Sequence, residues 1–389
     1  MNLVAAVLLF LGLSLSSFYV FPSGMPQPAD LLLFGFAGVM TIMALGDKHL
    51  EVSPFALCWG LLVFWVLLVC LGWTLILEST GFFVYPAFFF FNFLVGMALL
   101  RFLRVYGERA KGLIHNAVSI ALLVAASQVL VQLASGINRT PGSFNNPNQL
   151  AYFSLCGIVV LMLLDDFRPR LRPLALAGLA AGVVGILAAS SLAALGGGVL
   201  VVVGWAMANA TRVWHFARLL LVVPLLLVVV MLVNLHSEGQ IAHNLQSRMD
   251  RAPTKVEGMY EERRFDRLSQ FPEYAILGAG EGERRRFIPY HRNEIHSSFV
   301  NMLFAYGVPG LGLFLLVIFA ALSRTPLYVW VGVSGPLFYS VTHNGLRSTL
   351  FWLVLALCWY LYRQGRQASV RSTTPAFESL SSGHPRAMH

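Results

Sequence analysis

The sequence predicts an all-α, polytopic integral membrane protein of about twelve transmembrane helices. Three observations lead there. Only 12% of its 389 residues are charged and 57% are hydrophobic, with a mean hydropathy of +0.70, whereas soluble domains carry about 25% charged residues. Apolar runs recur at the length of a helix that crosses about 30 Å of hydrocarbon. Finally, the basic residues fall unevenly on alternate connections between those runs.

The runs lie near 3–21, 30–46, 54–77, 82–100, 112–133, 149–165, 172–189, 191–209, 217–235, 297–323, 327–342 and 348–363. The first has no basic stretch before it and no small-residue cleavage site, so it reads as a retained helix and not as a signal peptide. With the N-terminus inside, the short inner connections and the tail hold 15 of the 27 Lys and Arg residues, from Lys48 to Arg386. The short outer connections hold only Arg139 and Arg347. That bias puts both termini on the cytoplasmic side.

The remaining ten basic residues share one long outer loop, 236–296, with ten acidic ones from Glu238 to Glu294. Long segments translocate largely regardless of charge. The chain thus divides into nine spans over 1–235, the loop over 236–296, three spans over 297–363, and a Ser-, Thr-, Pro- and Gly-rich tail over 364–389 that reads as disordered. Within the loop, 244–250 and 260–271 read as helices, and Gly278, Gly280 and Gly282 as a tight turn.

Composition also excludes some functions. Cys58, Cys70, Cys156 and Cys358 sit apart in apolar runs, which is the pattern of small hydrophobes and neither of a disulfide framework nor of a zinc site. The net charge of +9 reports topology here, not nucleic-acid binding. Asp30, Asp165 and Asp166 lie at run ends, so the runs lack the mid-membrane carboxylates of an ion-coupled transporter. Gly196, Gly197 and Gly198 suit close helix packing.

Four constellations could carry chemistry. The connection 138–149 places Arg139, a bidentate donor suited to phosphate oxygens, beside the helix start at Asn146 to Gln149; a turn with a solvated arginine is the alternative. Arg263 and Arg267 would lie one turn apart on one helical face with Arg264 beside them, and the three suit a diphosphate or else pair with Glu261, Glu262 and Asp266. Arg284, Arg285 and Arg286 suit anionic lipid headgroups. Gly278 to Gly282 would let a ligand approach the backbone, a weak signal without a strand before it and a helix after it. Finally, His296 begins the tenth run, with Glu294 two residues before it; an imidazole there could take a proton from a sugar hydroxyl, or could simply cap the helix. His343, in the last outer connection, reads as structural.

Together these blocks resemble the O-antigen ligase and polymerase superfamily of bacterial envelope glycan transferases. The first block is Arg139, Gly142, Phe144, Asn146, Pro147, Asn148 and Gln149. The second runs from Arg267 through Phe271-Pro272-Glu273-Tyr274, Leu277 to Gly282, Glu294-Ile295-His296-Ser297-Ser298, and Tyr306-Gly307-Val308-Pro309-Gly310. The resemblance implies a GT-C-like fold and a metal-independent, cofactor-free, inverting glycosyltransferase in the bacterial inner membrane. Its donor would be a glycan on undecaprenyl diphosphate, used on the periplasmic side, with membrane lipids around it. It implies His296 as the catalytic base and Arg139 with Arg264 or Arg267 as diphosphate ligands. Glu294, Asn146, Asn148, Gly280 and Glu281 would bind substrate. The expected activity is that of an O-antigen ligase with lipid A-core as acceptor; a polymerase extending a growing glycan, or a protein O-oligosaccharyltransferase, is the alternative, and a polytopic transporter the reading outside the family. One departure stands out: the family often has Ser-Arg between the seventh and eighth spans, where this chain has Ser190-Ser191-Leu192.

Overall fold

The computed structural model describes residues 1–22, 24–45, 53–137, 139–168, 172–210, 228, 231–251, 253, 258–288 and 294–373. Regular structure among them is helical, without strands. The first seven helices are α1 Leu3–Ser14, α2 Pro28–Leu45, α3 Pro54–Leu77, α4 Val84–Ala134, α5 Pro147–Leu164, α6 Pro173–Ala189 and α7 Leu192–Asn209. The long loop contributes α8 Gln240–Asp250, α9 Met259–Glu262, α10 Asp266–Gln270 and α11 Tyr274–Leu277. The chain closes with α12 Ser298–Leu322, α13 Leu327–Thr342 and α14 Thr349–Thr373. Among the described residues, six helical stretches are long and apolar enough to cross a membrane: α2, α3, Thr80–Ala134, α5, α7 and α12.

Helix starts follow local chemistry. Ser53, Asn146 and Ser297 each accept a backbone N–H of the helix they precede, and Pro follows at the first position of α3 and α5. Two boundaries differ from the sequence reading. The first run yields a helix only to Ser14, about 18 Å at 1.5 Å per residue; Ser16 Oγ then bonds back to Leu13 O (2.6 Å), competing with the helix ladder. The expected tail is not irregular from its start, because α14 continues to Thr373. The runs 82–100 and 112–133 become the two arms of α4, broken at Gly107 (φ 52°, ψ −124°). The run 217–235 lies largely outside the described residues.

The connections sort into two ends. At one, Ser143 bonds to Tyr19 N (3.3 Å) and to Ser17 O, Ser79 Oγ bonds to Glu283 Oε1 (2.5 Å), and Arg139 Nε bonds to Ala189 O (3.0 Å). At the other, Asn2 N donates to Tyr106 Oη (3.0 Å), Arg101 to Met43 O (2.8 Å), and Tyr328 and Tyr362 both donate to Asp166 Oδ1 (2.7 and 2.6 Å). Between the ends, helices pack by close approach. A Cβ on Gly197 of α7 would stand 2.7 Å from Gly335 O, and one on Gly335 of α13 would stand 2.5 Å from Gly197 O.

The long loop is fastened to the bundle by a break in α12. Pro309 has no N–H to offer Ala305 O, and Gly307 leaves helical geometry (φ 68°), so the carbonyls of Phe304 and Ala305 lose their helix donors. The loop supplies replacements: Ala279 N bonds to Phe304 O (2.9 Å) and Gly280 N to Ala305 O (2.8 Å). Gly278 (φ 97°) lies so close that a Cβ would meet Tyr306 Cα at 2.5 Å. Two tryptophans of α3 complete the joint, Trp65 donating to Tyr306 O (2.7 Å) and Trp73 to Gly278 O (2.9 Å). Above it, Ala279, Phe287, Ile295 and Phe304 form a small core of their own.

Candidate functional site

At the end where the loop docks, a cavity of about 420 Å³ opens between the α1–α2 connection, α5, and the connections that lead into α12 and α14. Its wall includes Asp30, Asn146, Asn148, Glu294, His296, His343 and Arg347. Of the residues expected to bind substrate or act on it, Asn146, Asn148, Glu294 and His296 thus line one place and Arg139 stands directly behind it. Asn146 caps α5 by accepting Gln149 N (2.9 Å). Asn148 accepts Arg139 Nη2 (2.7 Å) through its side chain and Tyr339 Oη (2.7 Å) through its carbonyl. Arg139 thus stands one residue behind the cavity wall, with its Nε on Ala189 O, at the α6–α7 turn that carries no base of its own.

His296 is exposed, and its backbone N–H donates to Arg263 O (3.1 Å). Partial withdrawal from water and then the charge of Arg263 push its pKa below the ordinary histidine value; Glu294 opposes them, and Arg264 adds a smaller downward push. His343 is buried more deeply. Its ring stacks on Tyr339 (4.3 Å between centroids), Nδ1 faces Thr342 Oγ1 (3.0 Å) and Nε2 faces Arg263 Nη1 (3.4 Å). Burial, then Arg263 and His296, push it down to about 3, so it stays neutral.

The loop arginines do not share a helical face. The expected helix 260–271 splits into α9 and α10, because Arg264 adopts a left-handed backbone (φ 64°). Arg264 N bonds to Glu261 O (3.0 Å) and Phe265 N to Tyr260 O (2.8 Å), the paired bonds of a Schellman stop with arginine in the place glycine usually takes. The break sends its neighbours apart. Arg263 Nη1 reaches Thr342 O (2.7 Å) on the last turn of α13. Arg267 is only 3% exposed, with its guanidinium over Phe287 (5.5 Å) and Phe304 (5.6 Å), inside the small core of the loop. The structure therefore brings Arg139 and Arg263 to the histidines, lets the charge of Arg264 reach His296, and leaves Arg267 away from them. Among the described residues neither Arg139 nor Arg263 is within ion-pair distance of a carboxylate.

The basic triplet is likewise divided. Arg286 lies between Trp73 and Phe287 (4.5 Å to each ring) and donates to Ala279 O, clamping the glycine turn; burial lowers its pKa to about 10. Arg284 turns to Glu294 (2.8 Å) and Tyr85 Oη (2.9 Å). Arg285 alone of the three is exposed. Gly280 is committed to the joint with α12 and faces Trp73 and Phe82 rather than the cavity.

Glu281 and Glu294 enter a four-membered ion network that the sequence did not disclose. Arg347 donates to Glu294 Oε1 (2.8 Å) and Glu281 Oε1 (3.3 Å), and Arg284 shares Glu294 Oε1. Tyr306 Oη donates to Glu281 Oε2 (3.3 Å). Burial raises the pKa of Glu281 despite Arg347 and Arg284. For Glu294 the same two arginines outweigh burial and lower it. Arg347 and the pairing of Arg284 with Glu294 gained little weight from sequence, since the partners are distant along the chain, whereas Arg263 already stood among the three loop arginines that suit a diphosphate. The single signal for Arg347 was that it is one of two bases on short outer connections. Compared with family models and with curated proteins, the chain matches none of them.

Proposed function

We propose that the protein is a glycosyltransferase that moves a glycan from undecaprenyl diphosphate to an acceptor hydroxyl, with the described cavity facing the periplasm of a bacterial inner membrane. In this reading the apolar runs make twelve spans of GT-C type. The activity is that of an O-antigen ligase, with lipid A-core as acceptor. The observation that carries the reading is the His296 imidazole, its pKa lowered, on the wall of a cavity backed by the guanidinium groups of Arg139 and Arg263, with the charge of Arg264 also felt at the ring.

The chemistry follows from that arrangement. The acceptor hydroxyl enters the cavity and His296 takes its proton as general base. The acceptor oxygen forms a bond to the anomeric carbon while the bond from that carbon to the diphosphate oxygen breaks. The electron pair leaves with undecaprenyl diphosphate, whose growing negative charge the arginines stabilise. A single displacement inverts the anomeric carbon. Arg263 replaces Arg267 in this scheme, since Arg267 is packed among aromatic rings. Arg139 supplies the cation that the Ser190-Ser191 turn lacks, because its Nε already bonds to Ala189 O there.

The test is reconstitution. Purified protein in lipid receives lipid-linked glycan with lipid A-core, with no added acceptor, or with pilin, and products are resolved on gels. The proposal expects glycan on lipid A-core. Chain extension alone or glycosylated pilin would move the protein to another branch of the reaction class, and no transfer to any acceptor would reject the reading.

A further inference from the structure

The cavity has two chemically different sides. On one stand His296 and His343, with Arg263 and Arg139 one residue behind them. The other is built by the α1–α2 connection and the first turn of α2, which carries Asp30, among the described residues the single carboxylate of the wall outside the ion network. Gln27 holds that connection in shape with its entire side-chain capacity. Its Oε1 accepts Val20 N (2.8 Å) and Phe21 N (3.0 Å), and its Nε2 donates to Phe21 O and Met25 O (3.0 Å each). Nothing of Gln27's side chain remains for a ligand. Its backbone N–H, however, fixes Asp30 by donating to Oδ2 (2.8 Å). Among the described residues, Asp30 makes no ion pair, and Oδ1 has no protein partner. Beside it, Tyr19 packs on Phe144 (4.8 Å), and Phe144 on Phe153 (5.1 Å), giving a continuous aromatic wall. Asn146 adjoins this wall with its Oδ1 used as a helix cap.

An aromatic wall, amide groups and one fixed carboxylate oxygen form a surface for a polyol. The carboxylate can accept a hydroxyl or an ammonium, and it repels an anion. The Glu281, Glu294, Arg284 and Arg347 network pairs two negative with two positive groups, so it does not offset Asp30. We propose that this side of the cavity is the acceptor-sugar subsite, that it takes a sugar bearing no negative charge, and that Asp30 sets this selectivity. The proposal rests on the transferase reading for the choice of a sugar. The donor sugar is tied to a diphosphate and therefore belongs with the arginines; the side without cations is left to the acceptor.

Asp30 also serves as a capping residue for α2, and a purely structural role would end there. Asp30→Asn separates the two, because it keeps an acceptor for Gln27 N–H while removing the charge. The experiment measures binding of three soluble probes to the full chain in lipid nanodiscs by ligand-observed NMR: methyl glucoside, methyl glucosaminide and methyl glucuronide. Wild type should bind the glucuronide about tenfold more weakly than the glucoside, the factor that ~1.4 kcal/mol produces. Asp30→Asn should bring the two within about twofold and weaken the glucosaminide, whereas Asp30→Glu should retain the wild-type order. Equal binding of glucoside and glucuronide by wild type, an unchanged gap in Asp30→Asn, or binding of none of the probes overturns the proposal. The same titration in His296→Ala keeps the two readings apart. Charge selection that persists while no transfer occurs in any form of the protein would reject the transferase and leave the subsite standing.

Discussion

The backbone N–H of His296 donates to the carbonyl oxygen of Arg263 at 3.1 Å, while the Arg263 guanidinium reaches Thr342 O at 2.7 Å. One residue thus ties the entrance of α12 to the exit of α13 and places a positive charge beside the imidazole. Partial withdrawal from water and then Arg263 hold the His296 pKa below the usual 6.5 or so. A general base works in its neutral form, so the acid limb of the transfer rate should lie below the ordinary histidine range. Arg263→Met should move that limb to higher pH, and only partly, because the partial desolvation remains. The variant then loses a larger share of its rate at pH 6 than at pH 8. A pH–rate profile distinguishes this from loss of diphosphate binding alone, which lowers the plateau and leaves the limb in place.

Arg139 uses both sides of its guanidinium fork, Nε on Ala189 O and Nη2 on Asn148 Oδ1. Lysine has no second donor in that geometry. Arg139→Lys should raise KM for the lipid-linked donor by about tenfold or more, equivalent to ~1.4 kcal/mol, with a smaller change in kcat. Steady-state kinetics at varied donor concentration checks this.

The ion network predicts a coupled effect on stability. Arg347→Met leaves Glu281, 7% exposed, with Arg284 at 3.9 Å as its remaining cation. Breaking a buried pair in this way costs about 3–5 kcal/mol. The Glu281 pKa is already raised and should rise further without Arg347. The folded state then binds a proton that the unfolded state releases, so the deficit should be smallest at low pH and grow as pH rises through the elevated value. Thermal unfolding in detergent at pH 5 and pH 8 should show the larger loss in midpoint at pH 8.

The joint between the loop and α12 makes a different prediction. Gly278→Ala puts a Cβ against the backbone of Ala305 and Tyr306 at a left-handed position. The conformational cost is about 1–2 kcal/mol, and overpacking adds about 1–3. Gly198→Ala, on α7 with nothing within 4 Å of a built Cβ, should stay within about 0.5 kcal/mol. Limited proteolysis of the two variants should show the loop of Gly278→Ala opening first.

The helical class and most helix positions were legible because apolar runs of spanning length leave few alternatives. Two boundaries were not. Ser14, Ser16 and Ser17 end α1 inside an apolar run, and α14 passes through residues whose composition suggests a tail. At the site, His296, Arg139, Asn146 and Asn148 stood out by residue type and were brought to one cavity or its border. The choice among the loop arginines was hidden by Arg264, which stops a helix from the left-handed region without the glycine that normally announces such a stop. The glycine turn at Gly278 and the Gly307–Pro309 break were both visible as motifs. That each completes the other's hydrogen bonds was not, because the pairing is made in space and leaves no periodicity in the sequence.

The most direct test of the account is the initial rate of glycan transfer by His296→Ala in lipid, with folding verified by its unfolding midpoint. A positioned general base contributes about 10²–10⁴-fold. The account predicts a loss in that range with an unchanged midpoint. Transfer by the variant at the wild-type rate would contradict it.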